Sequence, residues 1–240
     1  MKNNVLWLIP ARSGSKGIPD KNIRKLNGIP LLAYRIKTAI SISDPQNVWI
    51  STDSPEYGKI AMSYGARMPF LRPDDLASDH ASSMDVVLHA MEYAKNLGQK
   101  FEFIGLLEPT SPFVYYQDIL KAIKKLQTNK EATSVVAVRE SKPNSFFVQE
   151  EAEYLNILGD RIRRAASLGR QFFKREITPS GGFYISKWDD FFIEKTFYTS
   201  KTLPYELNEG SSLEIDEMMD WHWAEFLLKD KIIDIHKIYK

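Results

Sequence analysis

Through the first half of the chain, short apolar runs alternate with stretches whose apolar residues recur every three or four positions. Val5–Ile9, Val48–Ser51, Phe103–Leu107 and Ser134–Val138 are the short runs, with the β-branched and aliphatic content of buried strands. Leu31–Ile40, Tyr57–Tyr64, Met84–Ala94 and Ile119–Leu126 carry helical spacing. Strands separated by helices of about 10 to 15 residues predict an α/β fold, a Rossmann-like, mainly parallel sheet with helices on both faces. Ligands of such sheets sit beyond the carboxyl ends of the strands. Chemistry is therefore expected in the polar segments that follow strands, Ala11–Asn22, Thr52–Asp53 and Glu108–Pro112.

The alternation stops after Val138. Residues 140–175 carry Lys142-Pro143-Asn144, a short alternating segment at Phe146–Gln149 and a basic stretch, Arg161–Arg170. This reads as an insertion with hairpin character, suited to a lid or a subunit contact. Gly181–Ile185 is expected to return to the core as a strand, and a last long helix to run from near Asp216 to about Leu228. No repeat, low-complexity tract or long linker divides the chain, so one domain over residues 1–240 is expected, with the insertion as its appendage.

Composition narrows the partners. Hydrophobic residues make up 43% of the 240 and charged residues 26%, as in ordinary globular proteins. Thirty-two basic against 31 acidic residues leave a net charge of +1, so no global field draws the chain to nucleic acid or an anionic membrane. There is no cysteine, which rules out disulfides, thiolate nucleophiles and cysteine-ligated zinc, and fits a reducing cytoplasm. Val5–Ile9 is too short for a signal peptide, and no apolar run approaches the roughly 20 residues of a membrane span. A soluble, cytoplasmic protein is expected. The four histidines, His80, His89, His222 and His236, lack metal-ligand spacing and read as structural or surface residues.

The first loop offers the sharpest chemistry. In Pro10-Ala11-Arg12-Ser13-Gly14-Ser15-Lys16-Gly17, the glycines let backbone N–H groups turn inward, and Arg12, Lys16 and Lys21 add three cations within ten residues. Donors and cations converging after a strand form a phosphate cradle. Neither the P-loop pattern nor G-x-G-x-x-G is present, which argues against ATPases and dehydrogenases. By composition alone, a phosphate cradle and a solvated basic turn both remain open.

The longer string Ile9 to Asn22 resembles the signature of the cytidylyltransferases that make CMP-sialic acid and related CMP-nonulosonates. Ser51-Thr52-Asp53-Ser54, Pro69 to Pro73, Leu107-Glu108-Pro109-Thr110-Ser111-Pro112, Arg170-Gln171, Gly181 to Ile185 and Ile215-Asp216 follow in the family's order, from residue 9 to about 225. The resemblance implies a nucleotidyltransferase, GT-A-like version of the predicted fold. It also implies a Mg²⁺-dependent attack of a sugar acid's anomeric hydroxyl on the α-phosphorus of CTP, and a homodimer built through the insertion. Arg12 and Lys21 are then expected on the triphosphate and the departing pyrophosphate, with Lys16 and the loop groups of Ala11, Ser13, Gly14 and Ser15 assisting. Asn22 and Arg72, with Ser82 or Ser83, match positions that recognise cytosine and ribose. Asp216 is the expected metal ligand, with Glu214 beside it. Glu108, Thr110, Ser111, Arg170, Gln171 and the Ser180-Gly181-Gly182 turn fall on the sugar side.

Bland readings stand beside these. Arg72 between prolines suits a surface arginine, Asp216 suits a helix N-cap, and Arg161, Arg163 and Arg164 suit a solvated face or subunit contact. The chain also departs from the family at the sugar end. Glu108 stands where relatives have glutamine, Ser180 where they have asparagine, and Glu214 where they have aspartate. A carboxylate at 108 beside an acidic sugar calls for a nearby cation, such as Arg170, or for a sugar bearing an amino or amidino group. Two other readings keep the fold, a synthetase for the eight-carbon acid Kdo and a non-catalytic nucleotide-sugar sensor. The Leu107–Pro112 motif, which lacks the aspartate of the Kdo branch, favours nine-carbon acids such as N-acetylneuraminate or legionaminate.

Overall fold

A computed structural model describes residues 4–78, 80–141, 144–166, 168 and 172–240. In chain order the elements are β1 (Val5–Pro10), β2 (Lys25–Leu26), β3 (Ile29–Pro30), α1 (Leu31–Ile42), β4 (Val48–Ser51), α2 (Pro55–Ser63), α3 (Asp74–Ala77), α4 (Ser83–Asn96), β5 (Phe103–Leu106) and α5 (Tyr116–Thr128). There follow β6 (Ser134–Glu140), α6 (Asn156–Ala165), β7 (Ile177–Lys187), α7 (Trp188–Glu194), β8 (Thr202–Glu206), α8 (Met218–Lys229) and α9 (Ile235–Ile238). Every strand and helix expected for the first half is present, with ends moved by a few residues.

The main sheet has six strands in the order β4-β1-β5-β7-β6-β8. β1 runs parallel to β4 and β5, and β6 runs parallel to β8. β7 is antiparallel to both β5 and β6, so the sheet is mixed and mainly parallel. Side chains of β1 alternate between its faces, as a two-residue period requires. Val5, Trp7 and Ile9 join a core with α1 and α5 (Leu32, Ile36, Ile119, Ile123). Leu6 and Leu8 join a second core with α4 and α7 (Val87, Met91, Phe191). Burial on both faces explains why the strand sequences are continuously apolar. A third cluster (Ile18, Leu31, Phe113, Ile215, Trp221) packs α8 and the first loop over the carboxyl ends of the strands.

Two expectations need correction. Among its described residues the insertion forms no hairpin. Asn144 accepts a hydrogen bond from the Phe146 backbone and starts a 3-10 turn over Ser145–Phe147. Phe146 and Phe147 then both turn onto Phe173, with ring centroids 5.1 and 4.9 Å away, and α6 follows. An alternating segment therefore folds as an aromatic turn. The last long helix runs Met218–Lys229, as expected within two residues, but its N-cap is Glu217 and not Asp216. Asp220 accepts from the N–H groups of both Asp216 and Glu217, which leaves Asp216 outside the helix. The β2–β3 hairpin, α3, α6, α7, β8 and α9 were not foreseen. Pro204 lies inside β8, which is tolerated because β8 is an edge strand.

Gly105 faces Trp7 in the β1–β5 register, and a Cβ there would lie 2.3 Å from the indole ring. Gly105→Ala should therefore overpack the core by about 1–3 kcal/mol and lower Tm by several degrees. A thermal melt with unchanged Tm would contradict this packing.

Candidate active site

The loop after β1 crosses the carboxyl ends of the strands and is braced from below. Ala11 N–H donates to the Ser51 carbonyl at the end of β4. Ser13 donates to Asp53 through both its backbone N–H and its hydroxyl. Gly14 turns the chain at φ +73°, a conformation that favours glycine. Gly17 serves a different need, because a Cβ there would lie 2.3 Å from the Asp216 carbonyl oxygen. The loop can thus press against the segment that precedes α8. Asp20, at φ 51°, accepts from the Tyr57 hydroxyl at 2.9 Å, and its backbone carbonyl receives the Arg24 N–H.

From this base the charged side chains converge. Lys21 Nζ donates to the Ile215 carbonyl at 2.9 Å and to the Asp216 carboxylate at 3.0 Å. Asn22, buried, donates to the Arg12 carbonyl. Arg72, also buried, donates from Nε to the Ser51 hydroxyl at 3.0 Å and from Nη2 to the Ser51 carbonyl. Burial pulls the Arg72 guanidinium down to about 10, opposed by Asp53 and helped by Arg12. For Asp53, burial acts upward but is outweighed by the Ser13 hydrogen bonds and Arg72, which hold its carboxyl below the usual range.

A cavity of about 430 Å³ is lined by these cations and by a set of acidic residues, the acidic wall. Arg12, Ser15, Lys16, Lys21, Asn22 and Arg72 line it together with Glu108, Thr110, Glu214 and Asp216. Ten of the expected site residues thus share one cavity. Ala11, Ser13 and Gly14 shape the loop without lining it. Ser82 is not on the wall either. It caps α4 in a reciprocal box with Asp85, while its neighbour Ser83 faces the cavity. Ser111 is fully buried behind the wall. Arg170 and Gln171 lie outside the described residues. Leu76, Ser78, Ala81 and Val86 complete the wall and were not anticipated, since nothing in their local sequence distinguishes them from surface or core positions.

The acidic wall is tense. Burial, together with Glu214 and Asp216, pushes Glu108 up to about 7, against the pull of Lys21 and a hydrogen bond from Ser83. Burial also raises Glu214, with Arg139 opposing and Asp216 and Asp220 adding to the rise. Arg139 Nη2 stands 3.8 Å from Glu214. Among the described residues, no three carboxylates or histidines converge into a metal cage. Two carboxylates on one short segment at the edge of a phosphate-sized cavity still suit Mg²⁺, which takes one or two protein carboxylates and completes its shell with phosphate oxygens and water.

The cytidylyltransferase family profile matches residues 6–166. The chain belongs to the cytidylyltransferase family. It is 30% identical to the CMP-N,N'-diacetyllegionaminic acid synthase of Legionella pneumophila, over 94% of this chain and 96% of that protein. It is 35% identical to the N-acylneuraminate cytidylyltransferase of Escherichia coli, over 93% of this chain but only 52% of that protein. The chain therefore spans about half the length of the E. coli relative and nearly all of the Legionella one. The fold is shared with a CMP:2-keto-3-deoxy-manno-octonic acid synthetase complexed with CTP, at a TM-score of 0.68 and 14% identity, covering 95% of this chain and all of that one. In this cytidylyltransferase fold, the loop after β1, the end of β4 and the segment before α8 supply the cavity, and none of the described helices is long and apolar enough to cross a membrane.

Glu108 gives the site a pH signature. An unfolded glutamate ionises near its ordinary value, whereas folded Glu108 keeps its proton to about pH 7. The folded state binds the proton more tightly, so stability falls as pH rises between these values and levels off above 7. Glu108→Gln removes that decline. Without CTP or Mg²⁺, its Tm advantage over the native protein should grow from pH 4.5 to 7 and then stay constant; a constant difference across that range would contradict the assignment.

Proposed function

We propose that this protein joins CTP to a 2-keto-3-deoxy nonulosonic acid of the N-acetylneuraminate or legionaminate type, giving the CMP-sugar and pyrophosphate. The observation that carries this reading is that Arg12, Lys16, Lys21 and Arg72 share one cavity with the carboxylates of Glu108, Glu214 and Asp216. Arg12, Lys16 and Lys21 suit a triphosphate and a leaving pyrophosphate, whose charge must be neutralised as the bond to the α-phosphorus breaks. Asn22 and Arg72 suit the cytosine and ribose, with Ser83 in the place expected of Ser82. The sugar's anomeric oxygen attacks the α-phosphorus in line, its proton leaves to solvent or a base, and pyrophosphate departs. When bound at Glu214 and Asp216, Mg²⁺ would supply charge neutralisation of the phosphates. The positions of Glu108 and Thr110 suit the sugar, while Ser111 is better placed to support it from behind; Arg170 and Gln171 enter on the resemblance alone. The names of the relatives favour nine-carbon acids.

The insertion supports a homodimer. It exposes Tyr154, Leu155, Ile157, Ile162 and Phe172, a density of apolar surface that suits a subunit contact. The absence of cysteine and the use of CTP fit the cytoplasm.

Pyrophosphate release with CTP, Mg²⁺ and a panel of nonulosonic and octulosonic acids tests the reading, and release with a nine-carbon acid is expected. Lys21→Ala should lower kcat/KM by about 100-fold or more, as loss of a group that stabilises transition-state charge does. Asp216→Ala should raise the Mg²⁺ concentration for half-maximal rate by about tenfold. Release with no sugar, or near-native rates in both variants, would overturn it.

A further inference from the structure

Arg35 sits in the middle of α1 and is fully buried, the only arginine or lysine with no exposed surface among the described residues. Its Nη2 donates to the Gly182 carbonyl at 2.8 Å, while Nε and Nη1 have no hydrogen-bond partner among the described residues. A buried guanidinium is expensive, and an apolar residue in its place is often neutral or stabilising. Core packing therefore gives no account of it.

Its neighbourhood does. Gly182 follows Gly181, where β7 loses register with β6 and the backbone turns at φ +59°. A Cβ at Gly181 would lie 2.7 Å from the Glu214 carboxylate and 2.9 Å from the Ser111 hydroxyl. Ser111 N–H in turn donates to the Glu108 carbonyl, and Ile215 N–H to the Thr110 carbonyl. The β7 turn, the Glu108–Ser111 turn and the segment before α8 therefore meet at one junction, with Arg35 tied to its β7 limb. Two more buried hydroxyls without partners among the described residues, those of Ser111 and Ser180, belong to the same junction. Glu108 also lies close enough to exert its field on Arg35. Among the described residues, Glu214, Asp216 and Lys21 also act on Glu108, and Tyr184 and Tyr198 lie within its field.

We propose that Arg35 is a positioning residue for the sugar half of the site, holding the Gly181–Gly182 turn from beneath and acting as the buried counter-charge of Glu108. It touches neither substrate. The inference rests on the cytidylyltransferase reading above, and it assigns a buried cation, from an element outside the cavity wall, to the chain's unusual glutamate.

The test uses the full chain with Arg35→Met, Arg35→Lys, Glu108→Gln and the Arg35→Met/Glu108→Gln double variant, with kcat and KM measured for CTP and for the sugar acid separately. Arg35→Met is expected to raise the sugar KM about tenfold while leaving the CTP KM within about twofold, and Arg35→Lys to restore most of the loss. In the Glu108→Gln background, Arg35→Met should cost less than about threefold, because the charge it balances is gone. Equal losses for both substrates, or the same loss with and without Glu108, would overturn the proposal. If Arg35→Met does not fold, Arg35→Lys and Arg35→Gln carry the same comparison. Native protein that turns over no sugar removes the cytidylyltransferase reading and this inference together; native turnover with an indifferent Arg35→Met removes the inference alone.

Discussion

Lys21 reaches from the loop after β1 to the Ile215 carbonyl and the Asp216 carboxylate, joining segments 194 residues or more apart in sequence. The same two segments touch through their backbones where Gly17 meets Asp216. Without this contact, the cationic loop and the acidic wall would belong to separate surfaces. The ammonium is largely shielded, with 12% of its side chain exposed, while Asp216 is 66% exposed. A pair with one partner so open to solvent adds little stability. Its value is positional, because it sets the distance between the groups that suit phosphate and the groups that suit a metal. The third core cluster supports the contact from below, since Ile18 from the loop and Ile215 from the facing segment share one buried patch.

The sheet reinforces that arrangement through its mixed topology. In an all-parallel sheet, every strand's carboxyl end would open towards the site. Here β7 enters the sheet from the site side, after the insertion, and runs away from it. Its first half therefore lies at the site end of the sheet, where the irregular pairing near Ala137 lets Ser180–Gly182 turn towards Ser111 and Glu214. Bulges near sites commonly re-aim side chains in this way.

The parts of this molecule that follow a local rule were legible in its sequence. Buried strands between amphipathic helices announced themselves by period, and the glycines and cations of residues 10–17 by composition. What escaped depended on tertiary partners. β8 carries a proline that discourages a strand assignment, and only its position at the sheet edge makes it acceptable. Phe146–Gln149 alternates like a strand, yet Asn144 and Phe173 turn it into an aromatic knot. Asp216, the expected metal ligand, also suited a helix cap by spacing, and that second reading falls because Asp220 accepts from the N–H groups at the start of α8. Ser82 and Ser83 could not be told apart from spacing, because one residue's shift along a helix start decides which hydroxyl caps and which faces the cavity. Arg35 was invisible, since an arginine within an amphipathic helix ordinarily marks the solvated face.

The charges that suit CTP are already committed within the protein. Lys21 is held by Asp216, and Arg72 by Ser51 within the field of Asp53. In the proposed reaction, a triphosphate arriving with its metal would exchange the Lys21–Asp216 pair for Lys21–phosphate and Asp216–metal contacts, so neither charge need be left bare at any stage. Arg72 needs no such exchange, because its bonds to Ser51 fix the guanidinium plane while leaving it on the cavity wall. On the open side of the site Glu108 has the Ser83 hydroxyl as a hydrogen-bond partner. Among the described residues, the cations whose fields act with it are Lys21, which a triphosphate would draw away, and Arg35. Filling the nucleotide half would therefore increase the dependence of the sugar half on a charge buried outside the cavity, which couples the two halves through electrostatics without requiring the backbone to move.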